Sequence, residues 1–179
     1  MPIEDVFTIV GRGVVVTGCI ERGTVRVGDS VEIVGFIEEN RLVKISGIEA
    51  HRMLISEATV GDNVGILLEE MDRADVERGQ VLSAPNTVKA SAHFIADLQI
   101  LAEDENSINT STISDERPQF CFHTANVTGQ ISSIEIENEK NARVEISLII
   151  PVAIEENMTF TIRYNGKTIA FGIVREFLE

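Results

Sequence analysis

Basic residues are scarce in this 179-residue chain: 15 Lys and Arg stand against 29 Asp and Glu, a formal net charge of −14. A surface this acidic repels phosphate, which excludes diffuse electrostatic binding to nucleic acid or to an anionic membrane and leaves such a task to local groups of cations. Cysteine is sparser still. Cys19 and Cys121 sit in apolar runs about a hundred positions apart, with no CxxC spacing and no histidine at metal spacing. That excludes a zinc signature and is the pattern of two unrelated, reduced thiols packed as small hydrophobes. No apolar run approaches the ~18 residues of a membrane span, and the N-terminus lacks a basic-then-apolar leader. The expectation is a cytoplasmic protein with no membrane partner.

Catalytic and phosphate-binding motifs are absent as well. The nearest approach to a GxxxxGK[ST] loop, Gly23 to Gly28, is followed by Asp29 where a lysine is required. GxSxG, HExxH and EF-hand patterns do not occur. Glu38-Glu39, Glu69-Glu70 and Glu155-Glu156 are adjacent carboxylates, and neighbours on a strand point to opposite faces, so they punctuate turns and edges instead of forming an acid/base dyad. The chain reads as a non-enzyme without a metal or a cofactor of its own.

What is present is a globular composition, 44% hydrophobic and 25% charged, in a length that allows one large or two small domains. From Gly13 to Leu82, short β-branched stretches alternate with glycine-bearing turns: Val14 to Thr17, Ser30 to Val34, Leu42 to Ile48, Asn63 to Leu68, and Gln80 to Leu82. Two pentapeptides recur. Val27-Gly28-Asp29-Ser30-Val31 returns as Val60-Gly61-Asp62-Asn63-Val64, and Glu21-Arg22-Gly23-Thr24-Val25 as Glu77-Arg78-Gly79-Gln80-Val81. Their flanks do not match, so they read as repeated turn chemistry inside one barrel. Helical periodicity is limited to Met71 to Arg78, with Asp72 as candidate N-cap and Asp75 three positions on.

The polar, proline-bearing run Ser83 to Ala92 places a boundary near residue 88. Beyond it come Ala92 to Leu101, a polar stretch from Glu103 to Glu116, and then Gln119 to His123, Gly129 to Glu135, Arg143 to Ile150, Thr159 to Tyr164 and Thr168 to Val174. Asn165-Gly166 is a type I′ hairpin signal. Six short strands without crossover helices predict a second closed or nearly closed barrel. The predicted fold is all-β, two consecutive small antiparallel β-barrels over residues 1–88 and 89–179.

The stretch from Pro2 to Gly18, with Glu21-Arg22-Gly23, closely resembles the start of the second domain of translation elongation factor Tu. The likeness continues through Val27 to Gly35, Gly61 to Leu68 and Val76 to Leu82. Arg117-Pro118-Gln119-Phe120-Cys121-Phe122-His123-Thr124 and Asn126-Val127-Thr128-Gly129 are similar to that family's third domain. The resemblance implies a translation factor in which a GTPase domain, not contained in this chain, precedes the two barrels. GTP and Mg are expected only in that domain.

Aminoacyl-tRNA is the implied ligand. By position, the pocket for its 3′ end involves Ile9, Gly11, Val15, Glu49 and Leu67, with His51, Arg52 and Asn63 beside the esterified amino acid. Arg78 matches a contact with the 5′ phosphate, and Gln119 and Thr128 match contacts with the T-stem. Apolar walls can stack on a terminal adenine, and a carboxylate can accept a bond from the ribose 2′-hydroxyl. Taken singly, Ile9, Val15 and Leu67 read equally as core residues, Gly11 and Gly13 as turn glycines, and Arg78 as a helix-end charge. Further partners implied by the resemblance are the GTPase domain, a nucleotide exchange factor and the ribosome.

Some positions depart from the family pattern. Cys19 replaces a basic residue, Ile108 and Asn109 replace an Arg-His pair, Tyr164-Asn165 stand where the family has Glu-Gly, and the loop between Glu135 and Arg143 is shorter. Residues 1–89 carry 9 basic against 15 acidic side chains and residues 90–179 carry 6 against 14, or −6 and −8. Lost cations weaken a grip on a phosphate backbone. An alternative reading is therefore a protein–protein interaction module in a divergent paralogue that has lost tRNA binding.

Overall fold

The computed structural model describes residues 1–37, 39–101, 117–136 and 141–178. The polar stretch between 103 and 116, with Ile108 and Asn109, lies outside the described residues, as do Glu38 and residues 137–140. The chain divides into two compact units, Met1–Lys89 and Ala90–Glu179.

The first unit contains β1 (Asp5–Ile9), β2 (Gly13–Cys19), β3 (Thr24–Arg26), β4 (Ser30–Val34), β5 (Arg41–Ala50), β6 (Met53–Ile55), β7 (Glu57–Thr59), β8 (Asn63–Leu68) and β9 (Val81–Ser83). The main ladder runs β1-β2-β8-β5-β4-β9, with β6 added to β5 and a separate β3–β7 ribbon. Its ends are tied together, because Pro2, just ahead of β1, bridges Val81 in β9, and the Leu82 amide donates to the Met1 carbonyl at 2.9 Å. Strict alternation buries Val14 and Val16 of β2 and Val64, Ile66 and Leu68 of β8 against Ile33, Val43, Ile45 and Ile48. A period of two delivers one apolar face to the interior and leaves the other outside.

The pentapeptide that recurs at Val27 and Val60 is one turn used twice. Gly28 and Gly61 adopt φ of 96° and 93°, open to glycine at no steric cost. The Asp29 carboxylate accepts from the Arg26 amide at 2.8 Å, and Asp62 accepts from the Thr59 amide at 2.8 Å. Each turn leaves one strand of the β3–β7 ribbon and enters β4 or β8. The periodic stretch expected to be helical at Met71 to Arg78 is reduced to one 3₁₀ turn, Arg73–Asp75, where the Asp72 amide donates to Asp75. Buried Met71 and Val76 flank it, so the segment serves as a cover for the barrel and has no second helical face to bury. Past it, Gln80 is buried, donating to the Gly35 carbonyl at 2.7 Å and accepting from the Glu77 amide at 2.8 Å.

The second unit is a closed six-stranded barrel of β10 (Lys89–Ile100), β11 (Gln119–Phe122), β12 (Ala125–Ile136), β13 (Asn141–Ile154), β14 (Thr159–Tyr164) and β15 (Lys167–Phe177), in the order β10-β13-β12-β11-β14-β15. Closure removes the exposed edges that such strands otherwise present. Its core is aromatic: Phe94 meets Phe122 and Phe160 edge-on at 5.9 and 5.8 Å, and Phe122 stacks on Phe160 at 4.9 Å.

Candidate functional site

A pocket of about 430 Å³ opens on the outer face of the first unit, lined by Phe7, Ile9, Arg12, Val15, Thr17, Gly47, Ile48, Glu49, Leu54, Gly65 and Leu67. Strand register explains the arrangement. Phe7, Val15, Leu67 and Gly47 form one cross-strand row, and Thr17, Gly65, Glu49 and Leu54 the next. The eight residues of these two rows share the face opposite the core, since β2 buries its even-numbered valines and β8 buries Val64, Ile66 and Leu68. Ile9, Val15 and Leu67 are thus not core residues but outward members of core-forming strands.

A β-bulge aims the fourth strand. The β5–β8 register passes from Ile45↔Leu68 to Gly47↔Leu67, leaving Ser46 as the extra residue, with its hydroxyl donating to the Leu67 carbonyl at 3.3 Å. An inserted residue shifts the alternation by one. Both Ile45 and Ile48 therefore point into the core, while Gly47 and Glu49 join the pocket.

Of the residues singled out in the sequence, the pocket gathers Ile9, Val15, Glu49 and Leu67 from β1, β2, β5 and β8 respectively. Gly11 does not line it. It occupies the β1–β2 hairpin at φ 76°, between Ile9 and Arg12, which do. His51 and Arg52 are the two exposed turn residues between β5 and β6, both at positive φ (51° and 65°), directly after the strand that carries Glu49. Asn63 opens β8 and is exposed opposite Cys19, so the position that departs from the family pattern faces a predicted site residue. Arg78 is exposed, beyond the 3₁₀ turn and bridged to Gln80; it is a loop cation and not a helix-end charge.

On the second unit, Gln119 pairs directly with Thr128 across β11–β12 and with Arg163 across β11–β14. Gln119 and Arg163 are exposed, and the Arg163 guanidinium is braced by the Gly166 carbonyl at 3.0 Å. A cation therefore stands beside Gln119, on the side away from Thr128.

Sequence reasoning missed Phe7, Thr17, Gly47 and Gly65, each two positions from a residue it named on the same strand. Strand periodicity was the signal. Arg12 and Leu54 had no such signal: one sits in a hairpin loop, and the other lies on β6, a strand of three residues. Among the described residues, no group of three or more His, Cys, Asp or Glu could hold a metal ion.

Comparison with known families gives two matches. The family model described as Elongation factor Tu domain 2 matches residues 13–83, and that described as Elongation factor Tu C-terminal domain matches residues 87–178.

Proposed function

The chain belongs to the elongation factor Tu family of translation factors, spanning its second and C-terminal domains, and from that premise we propose that it binds aminoacyl-tRNA in concert with a GTPase domain. The observation that carries this reading is the convergence of Ile9, Val15, Glu49 and Leu67 from four strands on one pocket.

The chemistry of the pocket suits a nucleoside. Phe7, Ile9, Val15 and Leu67 supply apolar walls against which a base can stack, and Glu49 supplies an acceptor for a ribose hydroxyl. His51 and Arg52, on the turn after Glu49, are the groups nearest in sequence to meet the esterified amino acid. Arg78 takes the 5′ phosphate, while Gln119, Thr128 and Arg163 meet the T-stem. Phosphate contacts position the RNA, and the pocket reads its aminoacylated end. GTP and Mg²⁺ are the business of the partner domain, whose surface completes the pocket.

The test is a fluorescence titration with aminoacyl-tRNA and with deacylated tRNA, each with and without a GTPase domain supplied. The aminoacylated form should bind better, most clearly with that domain present. Equal binding of both forms under both conditions overturns the reading. Charge reversal at Arg52 and Arg78 separates the alternative: it abolishes tRNA binding here, whereas a protein–protein module would keep its partner.

A further inference from the structure

We propose that Gly47 and Gly65 shape this pocket for its ligand: their missing side chains leave a bed of bare backbone on which the flat face of a nucleoside base lies. The inference rests on the reading of the pocket as an adenosine site.

Three observations converge on it. The first is that the backbone does not ask for glycine at either place. Gly11, Gly13, Gly23, Gly28, Gly35, Gly61, Gly79 and Gly166 all have positive φ, whereas Gly65, inside the regular ladder of β8, and Gly47, the residue that follows the bulge at Ser46 in β5, are absent from that group. Glycine inside a strand weakens it, and one recurring reason for tolerating that weakness is the close approach of a ligand.

The second is where a side chain would go. A Cβ built on Gly47 would lie 3.7 Å from Leu67 Cβ and 3.8 Å from Leu67 Cδ2, and one on Gly65 would lie 3.2 Å from Val15 Cγ1 and 3.9 Å from Thr17 Cγ2. All three neighbours line the pocket, so both methyls would project into it. The contact at Gly47 is ordinary van der Waals packing, and the one at Gly65 asks Val15 to give by a few tenths of an ångström. The protein itself has room for a methyl at Gly47, and at Gly65 once Val15 shifts. A ligand in the pocket would not.

The third is their placement. Gly47 faces Leu67 and Gly65 faces Glu49, so the two glycines are diagonal neighbours, with Leu67 and Glu49 on the other diagonal. The result is a shallow trough across β5 and β8, bounded by an apolar side chain at one corner and a carboxylate at the other. A flat ring fits such a trough face down, with its attached sugar toward the carboxylate.

The experiment is a titration of the full chain with adenosine, read by backbone amide NMR shifts, for wild type, Gly47→Ala and Gly65→Ala, together with thermal melts. Wild type should show saturable shifts at Val15, Gly47, Glu49 and Leu67. Each alanine variant should melt at or above the wild-type temperature, or within a few degrees of it for Gly65→Ala, and bind adenosine at least tenfold more weakly. Gly47→Ala binding within twofold of wild type overturns the proposal, as does a Gly47→Ala chain that fails to fold, because glycine would then serve the fold. Absence of saturable shifts in wild type instead overturns the adenosine reading on which the proposal stands.

Discussion

Glu49 stands directly opposite Gly65 across the β5–β8 ladder, so on the pocket face its cross-strand neighbour is bare backbone. It is exposed and lines the pocket, where a carboxylate can accept a hydrogen bond from a ligand hydroxyl. Glu49→Ala should change unfolding stability by no more than about 0.5 kcal/mol, as for other exposed positions. Adenosine binding should fall about tenfold or more, since a hydrogen bond to a charged group contributes about 1.5–3 kcal/mol. Affinity for 2′-deoxyadenosine should not change. Paired NMR titrations with the two nucleosides check this, and equal losses for both would remove the assigned role.

The β5–β6 and β14–β15 connections are both two-residue turns with positive φ throughout, yet one is built from His51-Arg52 and the other from Asn165-Gly166. Asn-Gly is the pair this turn favours, and a side-chain-bearing residue in the left-handed region costs roughly 1 kcal/mol or more. Replacing His51 by Asn together with Arg52 by Gly should raise stability by about 1–2 kcal/mol in urea unfolding. The same variant should bind aminoacyl-tRNA more weakly. A variant no more stable than wild type would show that the turn holds no strain.

Asp29 and Asp62 close equivalent turns through bonds of 2.8 Å to the amides of Arg26 and Thr59. Asp29→Ala and Asp62→Ala should each cost about 1 kcal/mol, and the two costs should agree within about 0.5 kcal/mol. Urea midpoints of the two single variants decide it. Clearly unequal losses would mean that the surroundings of each turn outweigh the shared motif.

In the second barrel, a Cβ on Gly172 would collide with the Phe160 ring inside the aromatic core. Gly172→Ala should cost about 1–3 kcal/mol or more through overpacking. Adding Phe160→Leu should recover part of that loss, because the two sites share one volume. Thermal unfolding of the single and double variants measures the coupling; strictly additive losses would contradict it.

Arg163 stands in register with Gln119, which pairs on its other side with Thr128. Under the proposed function, Arg163→Glu should weaken tRNA binding and flatten the slope of log K against log[salt] by about one unit. A salt titration of both proteins is the measurement, and an unchanged slope would take Arg163 out of the RNA-facing surface.

Strands β2 and β8, which alternate throughout, and β4 and β5, which alternate over part of their length, were legible because a period of two is a local property of the chain, and so were the Asn165-Gly166 turn and the closed second barrel. The three-residue strands β3, β6 and β7 and the mostly exposed β1 were not, because their own residues carry little alternation and they form by pairing with a neighbour. The periodic signal at Met71 to Arg78 overstated the helix, since Met71 and Val76 are buried as anchors on either side of a short turn.

By itself, the sequence determined the all-β class, the two-part organisation, the turn chemistry at Gly28 and Gly61, and the family motifs that named Ile9, Val15, Glu49 and Leu67. These follow from local patterning and from residues close together in the chain. Which face of each strand those residues occupy was decided only in the tertiary structure. Pairing brings Phe7, Val15, Leu67 and Gly47 into one row, and the bulge at Ser46 reverses the alternation of β5 so that Glu49 joins them. Register is a relation between strands distant in sequence, set by which faces can be buried together, and no single strand carries it.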